Sequence, residues 1–252
     1  MNKTVAIQGA EGSNHHKVAR DFYGSEIHLK ECMSFDVLVD SLLDGSADLG
    51  VMALENTIAG SIIPNYALID KYNLHIIGEE YLHIHHHLMG LNGQEIKDIK
   101  EIWSHPMALL QCKEFFKKHP HIKLVEDVDT AEVAKRISKE NLIGIGAIAP
   151  KIAAEIFNLK VIEDEIQTIK DNATRFTSDA SCLAFVSSSG SFGSNRISRW
   201  KLPSPTCPTS GAIKPASSII SLVRAMQSAS SEMGTQQSVT TLSQPLRSDF
   251  PA

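Results

Sequence analysis

Over the first two thirds of the chain, apolar positions fall into short runs that alternate between strand and helix periods. Thr4–Gln8 is a brief apolar strand, and the turn Gly9-Ala10-Glu11-Gly12-Ser13-Asn14 leads into a helix with Val18, Ala19 and Phe22 on one face. A second strand is predicted over 27–31. Ser34 then caps a helix through Val37, Leu38, Ser41 and Leu42 that Gly45 ends. Residues 49–54 form an unbroken apolar run, the pattern of a parallel strand covered on both faces. A helix is expected over 66–72 and a long extended stretch over 75–91. The alternation restarts with a strand at Ile102-Trp103, a helix over 106–118, strand Lys123–Glu126, a helix from Thr130, a strand over 142–147 and a helix from Pro150.

Two βα sets joined by one long strand imply an α/β protein of two lobes with a cleft between them. In open sheets of this kind, ligands collect where strands end and helices begin. The polar loops at 9–14, 55–61 and 104–106 occupy such positions, so their backbone N–H groups are expected to form a nest for a compact polyanion. Spacing alone leaves open a plainer role for Ser13, Ser61 and Ser104 as helix caps.

Composition divides the chain in two. Residues 177–252 hold 19 serines and 1–176 only 8, and the body carries a net charge of −8 against +3 for the tail. The overall −5 gives no bulk attraction for nucleic acid. Cys32, Cys112, Cys182 and Cys207 form no CxxC pair, so neither a zinc site nor a disulfide framework is implied. No apolar run approaches a membrane span of about 18 residues. The N-terminal strand pattern, with no leader before it, is read as cytoplasmic.

Several motifs in order resemble the prephenate dehydratase family. Ala6 to Ser13 is similar to that family's first strand and glycine-rich turn, with Asn14 where an aromatic residue is usual. Leu54-Glu55-Asn56-Thr57-Ile58-Ala59-Gly60-Ser61 resembles its Glu-Asn-Ser/Thr…Gly-Ser motif, and Ser104 to Cys112 its Ser-His-Pro…Gln-Cys helix. Asp129-Thr130-Ala131 resembles a third helix start, and Asn172-Ala173-Thr174-Arg175-Phe176 its Thr-Arg-Phe signature. The resemblance covers nearly all of residues 3–176. It implies a two-lobed fold of the type II periplasmic-binding-protein kind, with the active site in the interlobe cleft. Lobe 1 is then expected over about 1–76 plus 164–177, and lobe 2 over about 77–163.

The activity implied is decarboxylating dehydration of prephenate to phenylpyruvate, toward phenylalanine. Arogenate dehydration is the nearest rival. A non-catalytic binder of small anions and an inactive truncated remnant are the others. Thr174 is the expected catalytic residue, hydrogen-bonding the departing hydroxyl. Arg175 is expected to grip the pyruvyl carboxylate, and Glu55, Asn56, Thr57, Gly60, Ser61, Ser104, Gln111 and Ser13 to line or support the cleft. Phe176 is expected to pack. No metal or other cofactor is implied, and the partner is the small-molecule substrate, with a homodimer left open. His83, His85 and His87 share one strand face, which reads as an ordinary polar face. His105 is the better functional candidate among the histidines.

The family continues past Phe176 with an apolar strand and an ACT-type regulatory domain that binds phenylalanine. Here Thr177-Ser178-Asp179-Ala180-Ser181 follows, and the Ser/Thr/Pro-rich residues 178–252 hold one convincing apolar run, at 218–226. The tail is expected to be disordered, either because the reading frame was lost just after Phe176 or as a natural extension. The missing strand is expected to leave Thr174 poorly anchored, the enzyme weakened and phenylalanine without effect.

Overall fold

The chain builds its elements in the order β1 (Thr4–Gln8), α1 (Asn14–Tyr23), β2 (His28–Cys32), α2 (Phe35–Leu43), β3 (Leu49–Asn56), β4 (Gly60–Ser61), α3 (Ile63–Lys71) and β5 (His75–His83). There follow β6 (His87–Gly90), β7 (Glu101–Ser104), α4 (Pro106–Gln111), α5 (Lys113–Lys117), β8 (Lys123–Glu126), α6 (Thr130–Glu140), β9 (Ile145–Ala149), α7 (Lys151–Ile156), β10 (Lys160–Glu163) and β11 (Ala173–Ala180). The structure is a computed structural model that describes residues 3–181. The expectations for 182–252, including disorder and the run at 218–226, lie outside the described residues.

Local chemistry explains most boundaries. The Ser34 side chain accepts from the Val37 N–H to start α2, and Asp129 accepts from Ala131 and Glu132 to start α6. Asn141, at φ 52°, closes α6 in the left-handed conformation that asparagine tolerates. The helix expected over 106–118 breaks at Cys112. The Gln111 carbonyl there accepts the Thr168 N–H at 2.8 Å, and the next turn tightens to a Phe115 N–H to Cys112 carbonyl bond.

The strands form two sheets. The first runs β2-β1-β3-β11-β5, with β4 on β3, and the second β10-β6-β9-β7-β8. β1 is parallel to β2 and β3, whereas β11 is antiparallel to both β3 and β5. In the second sheet β7 is parallel to β8 and β9, and β6 is antiparallel to β9 and β10. Val5, Ile7, Val18, Ala19, Val51 and Phe176 share the core between the first sheet and α1. Leu88, Ile99, Ile102, Ile148 and Ile122 form one core of the second lobe, and Met89, Val133, Ile137 and Ala147 another.

Two boundaries correct the sequence reading. Residues 77–83, expected in lobe 2, are the outer strand of the first sheet, because β5 pairs along its length with β11. The lobes therefore connect at 84–86 and again over 164–172. There the Ile84 N–H meets the Asn172 carbonyl at 2.7 Å, and the Ile166 N–H meets the His86 carbonyl at 2.8 Å. The body also does not stop at 177, nor is its last strand missing. β11 continues through Ala180, with Thr177, Ser178 and Asp179 paired to Met52, Val51 and Gly50 on one side and to β5 on the other. Backbone groups pair whatever the side chain, and here the polar side chains find partners of their own. Thr177 Oγ1 donates to Asp179 Oδ2 at 2.8 Å, and the Ser178 and Tyr23 hydroxyls share a hydrogen bond. Asp179 is fully buried, its Oδ1 has no hydrogen-bond partner among the described residues, and burial pushes its carboxyl up to about 7.

Candidate active site

The cleft edge of the first sheet is assembled around Asn56, at the end of β3, opposite Thr174 on β11. Two backbone donors fix its amide, since the Ile58 and Ala59 N–H groups both reach Asn56 Oδ1 at 2.9 Å. Asn56 Nδ2 then points across the sheet to Thr174 Oγ1 at 2.9 Å and to Asn172 Oδ1 at 2.7 Å. Thr57 locks the same corner. Its N–H donates to the Ala173 carbonyl at 2.9 Å, and its Oγ1 accepts the Ala173 N–H at 3.0 Å.

The second lobe enters through Gln111, the last residue of α4. Its Oε1 lies 2.6 Å from His86 Nε2 and 3.4 Å from Asn172 Nδ2. Among the described residues its Nε2 has no hydrogen-bond partner, which leaves two amide protons for a ligand. Thr174 is 7% exposed. A cavity of about 430 Å³ between the lobes is lined by Asn14, Lys17, Leu82, His83, His85 and Lys151, among others. Its wall at Leu82 and His83 stands one strand from Thr174 and Ala173.

Arg175 and Glu55 are built differently from the expectation. Consecutive strand residues face opposite ways, so Arg175 turns from the Thr174 face toward α3. There it pairs with Glu55 at 3.5 Å and donates to the Tyr66 hydroxyl at 2.7 Å, while Tyr66 donates to Glu55 at 2.8 Å. Burial first, and then the Glu55 bond, raises the Tyr66 pKa and keeps the phenol neutral. At 2% exposed, the guanidinium is a core group of lobe 1 with its partners already supplied by the fold.

The expected anion nest is also spent. In the first turn Gly9 N–H bonds the Cys32 carbonyl, Glu11 N–H the Glu31 carboxylate, Gly12 N–H His16 Nδ1 and Ser13 N–H the Ala10 carbonyl. Ser13 caps α1 by accepting from His16 N–H. The turn instead meets lobe 2, where the positive φ of Gly9 and Gly12 allows close approach. A Cβ on Gly9 would sit 3.0 Å from Asp129 Oδ2, and one on Gly12 would sit 3.2 Å from Ala153. Gly60 and Ser61 are exposed on β4, with the Ser61 hydroxyl 3.5 Å from Glu55. Ser104 is fully buried, and its hydroxyl donates to the Ile148 carbonyl at 2.9 Å, tying β7 to β9 rather than lining the cleft. His105 caps α4 by accepting from Met107 N–H at 3.2 Å.

The structure thus brings together Thr174, Asn56, Thr57 and Gln111. It places Arg175 with Glu55 and Ser61 on the other face of the sheet, and puts Ser104 in the core. Phe176 packs, 2% exposed, edge-on against His15. Asn172, His86 and Tyr66 were missed as site residues. Asn172 stood within the motif at 172–176, but its amide is buried by the hinge return, which no local pattern reveals. His87 pairs with Asp164 at 3.0 Å, and the His83 and His85 rings lie 6.4 Å apart.

Two sheets joined by two crossovers, with a threonine hydroxyl held near the interlobe cavity by an asparagine, define a two-lobed α/β domain. The chain belongs to the prephenate dehydratase family, whose pattern, described as "Prephenate dehydratase", matches residues 5–178. It is 37% identical over 172 residues to arogenate dehydratase/prephenate dehydratase 2, chloroplastic, of Arabidopsis thaliana, covering 68% of this chain and 45% of that protein. It is 34% identical over 171 residues to the bifunctional chorismate mutase/prephenate dehydratase of Buchnera aphidicola subsp. Acyrthosiphon pisum, covering 67% and 44%. The chain spans less than half the length of these curated relatives. The crystal structure of the prephenate dehydratase from Arthrobacter aurescens in complex with L-Phe superposes with a TM-score of 0.63 at 24% identity, over 71% of this chain and 60% of that one, which shows the shared fold.

Proposed function

We propose that this domain converts prephenate to phenylpyruvate, carbon dioxide and water. The observation that carries the reading is the state of Thr174. Its oxygen accepts from Asn56 Nδ2, so its own hydrogen is left to donate. In the reaction the electron pair of the ring-to-carboxylate bond moves into the ring and expels the hydroxyl on the opposite carbon. Hydroxide is a poor leaving group, and a donor aimed at the developing charge lowers that barrier. A threonine hydroxyl is too weak an acid to surrender its proton, so it stabilises the leaving oxygen by hydrogen bonding and solvent completes the water. Aromatisation supplies the drive.

Gln111 Nε2 offers a neutral donor for a substrate carboxylate. A neutral contact suits the carboxylate that leaves, because binding it tightly in the ground state would not speed its loss. Arg175 supports the site from behind through Glu55 and Tyr66 and does not itself grip substrate in this reading. The low exposure of Thr174 means that substrate enters when the lobes part about the two crossovers.

Formation of phenylpyruvate from prephenate by the purified chain tests the proposal, with arogenate assayed in parallel. Thr174→Val is expected to lower kcat by about 100-fold or more, and Thr174→Ser to keep most of the activity. Equal turnover by wild type and Thr174→Val would remove Thr174 from the chemistry. Turnover of arogenate alone would move the substrate to the amino analogue. A homodimer belongs to the same proposal, and sedimentation of the active species checks it.

A further inference from the structure

We propose that His86 is a positioning residue for this reaction: from the first crossover, its Nε2–H holds the Gln111 oxygen, so that the Gln111 amide keeps its Nε2 protons free for the ligand while Asn172 and Asn56 follow the order set at the Ile58 and Ala59 amides. The proposal rests on the reading above for its kinetic arm and on geometry alone for its structural arm.

The direction of every hydrogen bond in the chain follows from two backbone groups. The Ile58 and Ala59 N–H groups can only donate, so the atom they meet at 2.9 Å must be the Asn56 oxygen. The Asn56 amide nitrogen is thereby the atom facing Asn172 at 2.7 Å, and the Asn172 atom it meets must be the oxygen. The Asn172 nitrogen then faces Gln111 at 3.4 Å, which requires the Gln111 oxygen there. That same oxygen lies 2.6 Å from His86 Nε2. An amide oxygen only accepts, so Nε2 carries the proton and His86 is the Nε2–H tautomer. The opposite assignment at His86 would set an acceptor against the Gln111 oxygen, and flipping the amides to relieve it would only move a single donor-against-donor clash along the chain toward the Ile58 and Ala59 N–H groups.

The ring is placed to impose this order. His86 is 6% exposed, on the first crossover. Its N–H donates to Gln167 Oε1 at 3.0 Å, and its carbonyl accepts the Ile166 N–H at 2.8 Å. Both backbone groups are therefore held by the return segment while the ring reaches α4 of lobe 2. The link to Asn172 is long, so Gln111 needs a second donor to hold its amide. His86 supplies the short bond. Its Nδ1 is buried with no hydrogen-bond partner among the described residues, so a second ring proton would find no acceptor there. Burial, offset in part by Gln111, lowers the pKa and keeps the ring neutral.

Nitrogen-15 NMR of the full chain tests the structural arm. His86 is expected as the neutral Nε2–H tautomer at neutral pH. The side-chain amide signals of Gln111 and Asn172 are expected to move in His86→Leu and to return toward wild type in His86→Gln, whose amide N–H can stand where Nε2–H stood. An Nδ1–H tautomer, or Gln111 and Asn172 signals unmoved in His86→Leu, overturns the proposal. In the kinetic arm, His86→Leu is expected to lower kcat for prephenate about tenfold with KM within about twofold, and His86→Gln to recover to within about threefold of wild type. A wild-type kcat in His86→Leu, or equal losses in both variants, overturns it as well. A wild-type chain inert toward prephenate sinks the proposed function, while the NMR arm still decides the hydrogen-bond order.

Discussion

β9 and β11 both lie inside their sheets, and they are made of opposite materials. β9 reads Ile-Gly-Ala-Ile-Ala, with Ala147, Ile148 and Ala149 fully buried and no polar side chain to satisfy. β11 reads Ala-Thr-Arg-Phe-Thr-Ser-Asp-Ala and buries Thr174, Arg175, Thr177, Ser178 and Asp179 as thoroughly. An apolar strand gains from burial wherever its face meets a core. A polar strand is tolerated in a register where most of its groups meet partners, because an unmet buried polar group costs about 1–3 kcal/mol. Lobe 2 is thus held by generic packing, and the middle of lobe 1 by specific pairs. That is where the Thr-Arg-Phe stretch sits, so the hydroxyl proposed to act in the reaction lies on the strand held by specific pairs.

The buried pair behind β11 offers the severest test of this contrast. Arg175→Met leaves Glu55 charged and buried, and is expected to cost about 3–5 kcal/mol. Joined with Glu55→Leu, most of that loss should return. Urea midpoints of the single and double variants measure both, and a single variant within about 0.5 kcal/mol of wild type would show the pair to be incidental.

Asp179 gives a smaller effect with a distinctive pH dependence. Its folded pKa, raised by burial to about 7, lies above the ordinary 3.8 of the unfolded chain. Between those values the folded state binds more protons, so the stability present near pH 4 is lost as pH rises toward 7. Asp179→Asn removes this dependence and is expected to stabilise the fold by about 2 kcal/mol at pH 8, with little change at pH 4. Thermal melts across that range check it. A wild-type curve that is flat over the window would show that the carboxylate finds a partner.

The smallest effect tests the lobe 2 side. Ser104→Ala removes the hydroxyl that ties β7 to β9 and leaves the Ile148 carbonyl short of a donor, at a cost of about 1 kcal/mol. Because that hydroxyl faces the core, KM for prephenate should not move. A rise in KM of about tenfold would return Ser104 to the cleft.

Much of the architecture was legible in the residues. The ends of β1 and β8, the caps Ser34 and Asp129 and the start of α6 all follow from short-range rules, in which a side chain meets a backbone group a few positions away. The family motifs also named Thr174 and Gln111, which the fold brings to one hydrogen-bonded corner through Asn56 and Asn172. Other features were not legible. Side chains adjacent in sequence on a strand part to opposite faces, and which face opens to the cleft depends on what packs behind it. Thr174 and Arg175 look equivalent in a motif and meet different surroundings for that reason. The polar run after Phe176 looked like the end of the fold, because composition reports the free energy of burying side chains and not the backbone partners that β3 and β5 hold ready on either side.

By itself, then, the sequence determined much of the alternation of strands and helices and the helix caps, since each depends on neighbours within a few residues. Only the tertiary structure decided that Arg175 serves the core, that β11 runs through Asp179, and that the direction of a hydrogen-bond chain passes from the Ile58 and Ala59 amides to His86. Most of those outcomes depend on pairings between residues more than a hundred positions apart, such as Asn56 with Asn172, 116 apart, and no local preference encodes which of two buried faces such partners will share.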